Sequence, residues 1–361
     1  MRMKLLVDSD EFWMNLRQDL LSSKEHVFIQ TFSFEGDRIG KMLSNLLLSS
    51  GSVNTRIIVD CFTRWMLNDK FLYAPKNLLD GPLRREARAT VRMIKELEHN
   101  GIRVKFTNPV GLLLPKFAAR NHKKLVLIDD TVAYIGGMNF SEHNFSWHDM
   151  MLRIEDRNVA EMLKRDFLST WGGCNSSTSE RFRGIEIHAL DGHSNNITFD
   201  AILRLIEDAK ERVFVASPYL TFPFFASLRK ASRKSVAVTI MTPEENNRTF
   251  MKEYILWESG RSGIETRLYR KMTHLKAILI DDEYLVVGSS NFDYWSYRLH
   301  QEIVAIVTDA QVISEFKEKV IQEDLKNSRG FDDKINGLRG HILNLGLRSL
   351  GEFFALVNQR M

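Results

Sequence analysis

The sequence predicts an α/β protein of two tandem domains, each a mostly β-sheet core flanked by helices. Three observations lead to this expectation. A short polar motif occurs twice in the same internal register, and predicted strands and helices alternate twice along the chain. The chain has 361 residues, 44% of them hydrophobic, which is enough for two separate cores. Alternating strands and helices predict sheets covered by helices, with functional sites at the strand ends.

Hydrophobic periodicity places three helices and three strands before the motif in each half. In the first half, helices are expected over 11–21, 40–48 and 89–99, and strands over 27–32, 55–59 and 102–106. In the second half, helices are expected over 202–210, 225–232 and 247–259, and strands over 213–216, 236–241 and 265–269. Segment 61–90 has no assignment and could be a lid, an interface element or a loop.

The small polar stretch 172–179 is the expected seam between the halves. We therefore predict domains over 1–175 and 176–339, followed by a basic amphipathic helix over 340–361. Such a helix is typical of an interfacial membrane anchor, and packing against the core is the open alternative. The apolar stretches 112–117 and 219–225 leave a similar choice between contact with acyl chains and buried packing.

The repeated motif reads His-x-Lys-x-x-x-x-Asp, and its two copies lie 152 positions apart. The motif residues are His122, Lys124 and Asp129 in the first copy and His274, Lys276 and Asp281 in the second. A turn of small residues follows each copy and ends in Asn139 and Asn291, 17 positions after the histidine in both halves. A duplication that preserves all these residues indicates one binding unit built twice.

The apolar residues that follow each lysine predict a strand that ends at the aspartate. Residues two apart on a strand share a face, so His122 and Lys124 are expected to point the same way, as are His274 and Lys276. Asp129 and Asp281 fall where an aspartate commonly begins a type I turn. We favour a structural role for these two aspartates over contact with a substrate.

With these motifs, the chain resembles the phospholipase D superfamily over most of its length. The residues of segments 120–124, 136–139 and 288–293 most resemble those of bacterial cardiolipin synthases. The chain resembles the members of that group that have no N-terminal membrane spans. The resemblance implies two phospholipase D-like domains related by pseudo-twofold symmetry, with the active site at their interface. It also implies a ping-pong reaction through a phospho-histidine, with His122 as the nucleophile and His274 as the acid and base. The reverse assignment of the two histidines stays open.

The residue types suit this chemistry. Two ammonium groups and two Asn amides can donate to the oxygens of a phosphodiester without a metal, so no metal and no cofactor are expected. An imidazole can attack phosphorus or transfer a proton near neutral pH. In the resembled family an acidic residue after the Asn turn orients each histidine. Glu302 and Asp149 are the candidates, 153 rather than 152 positions apart. His143 and His148 are expected to be surface histidines rather than metal ligands.

Three functions remain open from sequence. The first is phosphatidyl transfer, in which two phosphatidylglycerol molecules give cardiolipin and glycerol. The second is hydrolysis by the same mechanism, of a phospholipid or of nucleic acid, and the third is a binding module without activity. The intact motifs disfavour the third, and the sequence has no basic stripe with stacking aromatic residues to indicate a nuclease. We therefore expect an anionic phospholipid substrate and a peripheral membrane surface as partners, and no nucleic acid.

Composition narrows the compartment but not the partner. The net charge of +4 identifies no ligand class. Two cysteines, Cys61 and Cys174, form no disulfide framework, which fits either a reducing compartment or a protein indifferent to redox conditions. The N-terminus becomes acidic at Asp8 before any signal-length apolar stretch, and no segment reaches the roughly 20 apolar residues that span a bilayer. We expect a cytoplasmic protein on the surface of the inner membrane. The sequence does not specify an oligomeric state.

Overall fold

The computed structural model of the protein describes residues 1–52, 54–110, 116–331 and 337–359. The chain forms two compact units, Met1–Ser176 and Ser177–Met361. The boundary lies inside the seam expected at 172–179. Segment 112–115, part of an apolar stretch singled out in the sequence, lies outside the described residues.

The first unit is built on one seven-stranded sheet. Its strands, with a separate small hairpin formed by β4 and β5, are β1 (Arg2–Val7), β2 (His26–Thr31), β3 (Asn54–Asp60), β4 (Met66–Leu67), β5 (Lys70–Phe71), β6 (Arg103–Thr107), β7 (Leu125–Ile128), β8 (Val132–Gly136) and β9 (Met150–Glu155). Its helices are α1 (Asp8–Ser22), α2 (Arg38–Ser49), α3 (Gly81–His99), α4 (Glu142–Phe145) and α5 (Arg157–Gly172). The order in the sheet is β1-β9-β8-β7-β2-β3-β6, with β2, β3 and β6 parallel.

Helices cover both faces of this sheet, which explains why its central strands are apolar throughout. Phe12 of α1 and Leu43 of α2 belong to the same buried cluster as Val27 and Ile29 of β2. On the opposite face, Phe28 stacks on Phe167 of α5 with ring centroids 4.8 Å apart. Alternate side chains of β2 therefore pack in two separate cores, one on each face of the sheet. Strand β2, which pairs with β7 of the motif, is thus packed on both faces.

The second unit contains a nine-stranded sheet. Its strands are β10 (Thr178–Phe182), β11 (Ile185–Ala189), β12 (Arg212–Ala216), β13 (Ala237–Pro243), β14 (Glu265–Tyr269), β15 (Ala277–Ile280), β16 (Tyr284–Gly288), β17 (Ile303–Val307) and β18 (Ser328–Gly330). Its helices are α6 (Asn195–Glu207), α7 (Phe224–Arg233), α8 (Thr249–Ser262), α9 (Tyr294–Arg298), α10 (Ala310–Phe316), α11 (Glu323–Lys326) and α12 (Gly337–Gln359).

The sheet order in this unit is β10-β11-β17-β16-β15-β12-β13-β14-β18. Its seven inner strands repeat the order of the first sheet, and β10 and β18 are additions at the two edges. The duplication of the motif therefore extends to the whole sheet. Both units have the α/β architecture expected from the sequence, with a sheet core flanked by helices.

Every helix and strand predicted ahead of the motifs is present, with ends that differ by a few residues, except that two helices start earlier. Helix α3 begins at Gly81 rather than 89, because Asp80 accepts a hydrogen bond from the Leu83 N–H and a proline occupies the first turn. Helix α6 begins at Asn195 rather than 202. Strand β1 is an addition to the expectation, and it pairs with β9 at the edge of the first sheet.

Segment 61–90, left unassigned from sequence, folds into defined elements. It contains a short 3₁₀ turn at Cys61–Arg64, the β4–β5 hairpin, a second 3₁₀ turn at Pro75–Asn77 and the start of α3. Leu67, Leu72 and Leu83 form a small buried cluster of their own within it. Apolar burial therefore holds this insertion together, and it is more than a loop. None of the helices in the described parts of the chain is long and apolar enough to cross a membrane.

Candidate active site

A buried polar network positions the backbone just before the first motif. Asp60, at the end of β3, accepts hydrogen bonds from the Arg120 guanidinium at 3.0 Å and from the Asn121 N–H at 2.6 Å. The Asn121 side chain accepts a hydrogen bond from Gln30 of β2 and donates one to Thr107 of β6. The ends of three parallel strands therefore fix this segment, as expected for a site at the carboxyl edge of a sheet.

His122 and Lys124 lie directly before β7 rather than on it, because the ladder begins at Leu125. His122 is 7% exposed and Lys124 is 1% exposed. The Lys124 ammonium donates to the His122 carbonyl oxygen at 2.8 Å. The Phe32 ring packs edge-to-face on the His122 ring, with centroids 5.3 Å apart, and lies 5.5 Å from the Lys124 ammonium. Imidazole and ammonium are therefore held together, as the sequence predicts, but by the segment that precedes the strand.

The second motif repeats this arrangement. His274 and Lys276 precede β15, and they are 5% and 1% exposed. The Lys276 ammonium lies 2.9 Å from His274 Nδ1 and donates to the His274 carbonyl oxygen at 2.6 Å. An ammonium group only donates, so Nδ1 accepts, and the ring proton of neutral His274 resides on Nε2. Tyr219 packs edge-to-face on His274 at 6.1 Å.

The two Asn turns are each tied to the segment that also contacts the histidine. Thr31, at the end of β2, donates to the Asn139 side-chain oxygen at 3.4 Å, one residue before Phe32. In the second unit, Ser217 donates to the Asn291 carbonyl oxygen at 3.2 Å, two residues before Tyr219. A segment of two consecutive residues in the first unit, and of three in the second, therefore links the motif histidine to the turn asparagine.

The sequence analysis did not identify these linking hydroxyl groups, although the sequence contains a pattern that indicates them. Thr31 and Ser217 each lie at the end of a run of buried residues. The single hydroxyl proton of each is shared with the carbonyl oxygen two residues further on, at 2.9 Å. A Ser or Thr at the end of the same strand in both repeats is the pattern that would have revealed them.

The Asn291 side chain contains a buried polar atom that its neighbours do not satisfy. Its Oδ1 is buried and accepts no hydrogen bond from any described residue. A buried amide oxygen without a partner is costly, and oxygen and nitrogen of an amide are interchangeable by rotation about the side chain. The Asn291 amide is therefore a group that a bound ligand would satisfy.

Glu302 is fully buried and is held by hydroxyl groups of its own unit. Ser289 donates to Glu302 Oε2, and Ser296 donates to Oε1 at 2.8 Å. The His300 ring nitrogen Nδ1 lies 3.7 Å from Oε1. Two hydroxyl donors fix the orientation of the carboxylate in the absence of substrate.

Asp149 occupies the corresponding position in the first unit. It is 2% exposed, and a Cβ on Gly137 would lie 2.2 Å from Asp149 Oδ1. Gly137 is the counterpart of Ser289, 152 positions earlier. The shorter acid therefore approaches a glycine where the longer acid receives a serine hydroxyl.

Strand register explains why the two acids are 153 rather than 152 positions apart. Gly136 of β8 pairs with Met151, and Gly288 of β16 pairs with Val304. Asp149 and Glu302 each stand two residues before these partners. The connection after the Asn turn is one residue longer in the second unit, and the ladder absorbs the difference. The two acids hold equivalent positions in their sheets.

Asp129 and Asp281 bind backbone in the structure. Asp129 accepts hydrogen bonds from the N–H groups of residues 24, 25 and 26, and Asp281 from those of residues 210, 211 and 212, all at 2.8–3.0 Å. Both have positive φ, 44° and 51°. Each carboxylate thereby joins the end of the motif strand to the start of the neighbouring strand. This geometry supports a structural role for both aspartates and gives no support for contact with a substrate.

The expectation of two surface histidines is wrong for His148. It is 9% exposed, and its Nδ1 lies 2.7 Å from Asp8 Oδ1 at the start of α1. His143 is half-buried, with Nδ1 3.8 Å from Glu35. Burial lowers the pKa of His143, so the neutral ring is favoured. Both imidazoles serve packing and hydrogen bonding within the first unit.

One acidic cluster in the first unit has the spacing of a cation site. Glu35, Asp37 and Glu86 each offer an oxygen within 4.8 Å of the others. Burial, followed by the hydrogen bond with Glu86, raises the pKa of Glu35 to about 9. A proton shared between two carboxyl groups already satisfies the cluster at neutral pH. It ties the segment between β2 and α2 to the inserted segment through the Asn68 N–H, which donates to Glu35.

A helix-flanked sheet is present twice, each time with His-x-Lys-x-x-x-x-Asp around an inner strand. This combination defines the phospholipase D superfamily. The sequence model of the family described as "Cardiolipin synthase, PLD-like domain" matches residues 16–171 and 202–323. The chain belongs to that family.

Among characterised sequences, the major cardiolipin synthase ClsA of Bacillus subtilis is 24% identical over 360 residues, covering 91% of this chain and 69% of the relative. The cardiolipin synthase of Listeria monocytogenes serotype 4a is 22% identical over 355 residues, covering 90% and 69%. Among solved structures, phosphatidylserine synthase of Haemophilus influenzae aligns with a TM-score of 0.69 at 12% identity, over 98% of this chain and 95% of that one. This structural similarity shows the fold.

Proposed function

We propose that the chain is a phosphatidyltransferase of the cardiolipin synthase type. It would transfer a phosphatidyl group from phosphatidylglycerol, or a related phospholipid, to an alcohol acceptor. The observation that carries the proposal is the intact duplication, in which both units hold a buried His, Lys and Asn around one short segment. Membership of the family and the named activity of its relatives support the same conclusion.

In the proposed first step, an imidazole nitrogen of His122 attacks the phosphorus of the donor lipid. A nitrogen–phosphorus bond forms, and the bond from phosphorus to the head-group oxygen breaks. His274, protonated at that stage, gives its proton to the departing alkoxide. In the second step, the acceptor hydroxyl gives its proton to His274 and its oxygen displaces His122. The lipid product then leaves with both imidazoles restored.

We assign the phosphate-binding role to Lys124, Lys276, Asn139 and Asn291. Negative charge on the non-bridging oxygens needs donors that are already in place when phosphorus is attacked. Burial of both lysines to 1% exposure supports this role, because a charged donor in a dry site interacts strongly with an anion. We assign Glu302 and Asp149 as orienting acids, and Asp129 and Asp281 as positioning residues that act through the backbone.

Burial of the motif residues also favours transfer over hydrolysis. Both histidines are less than 9% exposed, which limits the access of bulk water to a phospho-histidine. We further propose that the protein works at the cytoplasmic face of the inner membrane as a peripheral protein, because its proposed substrate is an anionic membrane lipid.

The direct test is incubation of the purified protein with phosphatidylglycerol vesicles and identification of the products by mass spectrometry. Cardiolipin and glycerol in equal amounts are the expected products. Phosphatidic acid in place of cardiolipin would make the protein a hydrolase. No lipid turnover, together with cleavage of DNA, would overturn the proposal. The His122→Ala and His274→Ala variants serve as controls for contaminating activity.

A further inference from the structure

Helix α12 packs on its unit through small residues together with partly buried leucines. A Cβ on Gly340 would lie 2.2 Å from the Trp257 ring of α8, and a Cβ on Gly351 would lie 2.4 Å from the Tyr294 ring of α9. Ala355, on the same side of the helix, is 3% exposed. The inward face therefore allows close approach of the helix at these residues, while Leu343 and Leu347 pack against the buried core of the unit.

The outward face of α12 carries six further large apolar side chains that the core does not cover. Six of the eighteen large hydrophobic side chains exposed in the described parts of the chain lie on this one helix. They are Leu338, Ile342, Leu345, Leu350, Phe353 and Leu356, each between 54% and 72% exposed. Their spacing forms a stripe about 27 Å long on an α-helix. A helix that packs in a core shows the opposite arrangement, with its large apolar residues inward.

The charges beside the stripe favour an anionic partner. Arg339 pairs with Glu253 at 2.8 Å while 65% of its side chain remains exposed, and the exposed Arg348 lies 4.4 Å over the Phe222 ring. The acid of the described helix, Glu352, engages the Tyr294 hydroxyl. An apolar stripe with arginines beside it is the pattern of a helix that lies in the head-group region of an anionic bilayer.

The helix also rests on residues next to the candidate site of its own unit. Tyr294, which receives Gly351, stands three residues after Asn291, and its N–H donates to Thr221 at 3.0 Å. The Thr221 N–H in turn donates to the Phe292 carbonyl oxygen at 3.2 Å. Helix α12 is therefore attached to the segment that follows Asn291, which is the part of the unit where the proposed lipid substrate would bind.

We propose that the outward face of α12 is a docking surface for an anionic phospholipid bilayer. The inference rests on the proposed function, because that function requires a substrate embedded in a membrane. The helix lies parallel to the surface, with the six apolar side chains among the upper acyl chains and the arginines at the phosphates. Docking on a bilayer explains why leucine and phenylalanine side chains of α12 are exposed on the face that does not pack on the unit.

The test compares two triple variants of the full chain. The outward variant is L338Q/L345Q/L356Q. The matched control is L79Q/V91Q/I197Q, which removes three apolar side chains that are exposed on other elements. Binding is measured by sedimentation with vesicles of phosphatidylglycerol and phosphatidylcholine, and activity is measured on a soluble aryl phosphodiester. Deletion of the helix is less informative, because it would also uncover Trp257 and Tyr294.

We expect the outward variant to lose on the order of a hundredfold in vesicle partitioning, about fivefold per side chain, with soluble turnover within twofold of wild type. The control should bind like wild type, and binding of wild type should weaken on vesicles of phosphatidylcholine alone. Unchanged binding of the outward variant would overturn the proposal. So would a shift from dimer to monomer on gel filtration, which would mean that a second copy covers the stripe.

The two proposals fail in different ways. If wild type binds vesicles through the stripe but makes no lipid product, the proposed function is wrong and the docking surface stands. If lipid turnover of the outward variant equals that of wild type on vesicles, the docking surface is wrong and the proposed function stands.

Discussion

At the scale of single residues, Asp129 and Asp281 organise the backbone rather than the substrate. Each accepts three N–H groups that enter the neighbouring strand. Sequence spacing alone cannot distinguish this role from catalysis, because either role would keep the same distance to the histidine in both copies. The turn chemistry of aspartate, by contrast, does predict it.

Replacement of Asp281 by alanine should destabilise the protein by about 1–3 kcal/mol, since three N–H groups lose a charged acceptor. Urea unfolding measures the change, with Glu283→Ala as the control because Glu283 is exposed in the same turn. Burial opposes ionisation of Asp281, but the three N–H groups outweigh it and its pKa is lowered from 3.8. The unfolded chain therefore binds the proton first, and the stabilisation should be present above about pH 4 and fade as the pH falls below it.

Gly137 is the glycine of the first Asn turn that faces the Asp149 carboxylate, and it should be hard to replace. In Gly137→Ala, the new methyl group would meet the Asp149 carboxylate at 2.2 Å, so the acid must move. We expect at least a tenfold loss of lipid turnover and a destabilisation of about 1–3 kcal/mol. Gly260→Ala in α8 is the control, because its Cβ would meet no atom within 4 Å. Equal activity of Gly137→Ala and wild type would contradict the orienting role of Asp149.

At the scale of elements, hydrophobic periodicity predicted the helices and strands ahead of each motif, since their apolar faces are buried. It missed β1, β10 and β11, which lie at or near sheet edges and have polar residues on one or both faces. It also could not place segment 61–90, because a cluster of three leucines is too small to produce a periodic signal.

The insertion is attached to the segment between β2 and α2 through the protonated carboxyl group of Glu35, and this should make stability depend on pH. The pKa of Glu35 is raised from 4.5 to about 9, by burial first and then by Glu86. Between these values the folded protein keeps a proton that the unfolded chain has lost. Stability should therefore fall as the pH rises from about 5 to 9, by at most about 1.4 kcal/mol per pH unit.

Glu35→Gln should remove much of this dependence. The amide can still donate to Glu86 and accept from the Asn68 N–H, and it does not ionise. Urea unfolding at pH 5, 7 and 8.5 should show the variant more stable than wild type at the highest pH and least different at the lowest. Glu98→Gln, on the exposed side of α3, should leave the slope unchanged. A wild-type stability that does not fall over this range would contradict a shared proton.

At the scale of the whole molecule, the two motif copies predict one reaction rather than two. If each copy formed an independent site, His122→Ala or His274→Ala would leave about half of the activity. If both imidazoles serve one phosphorus atom, each single variant should lose roughly a thousandfold or more, and the double variant should be no worse. Turnover of phosphatidylglycerol measures this, with circular dichroism to show that each variant is folded.

Much of the candidate site could be predicted because duplication makes a weak motif specific. The His, Lys and Asn residues of both units lie where the repeat indicated, each set around one segment. The equivalence of Asp149 and Glu302 could not be predicted from sequence, because they are 153 rather than 152 positions apart. Only the strand pairing shows that one added residue in a connection accounts for the difference. Thr31, Ser217 and Asp60 were missed, since their roles depend on strands that are distant in sequence.

Gly137 and Ser289 occupy equivalent positions, and the difference between them makes the surroundings of the two buried acids unequal. Ser289 and Ser296 both donate to Glu302, so part of the hydrogen-bonding capacity of that carboxylate is already used. Asp149 faces a glycine at the matching place and receives no such hydroxyl from it. The two carboxylates are therefore supported by different groups. The repeats differ in this supporting residue while His, Lys and Asn are the same in both, and such a difference suits the unequal roles that we propose for His122 and His274.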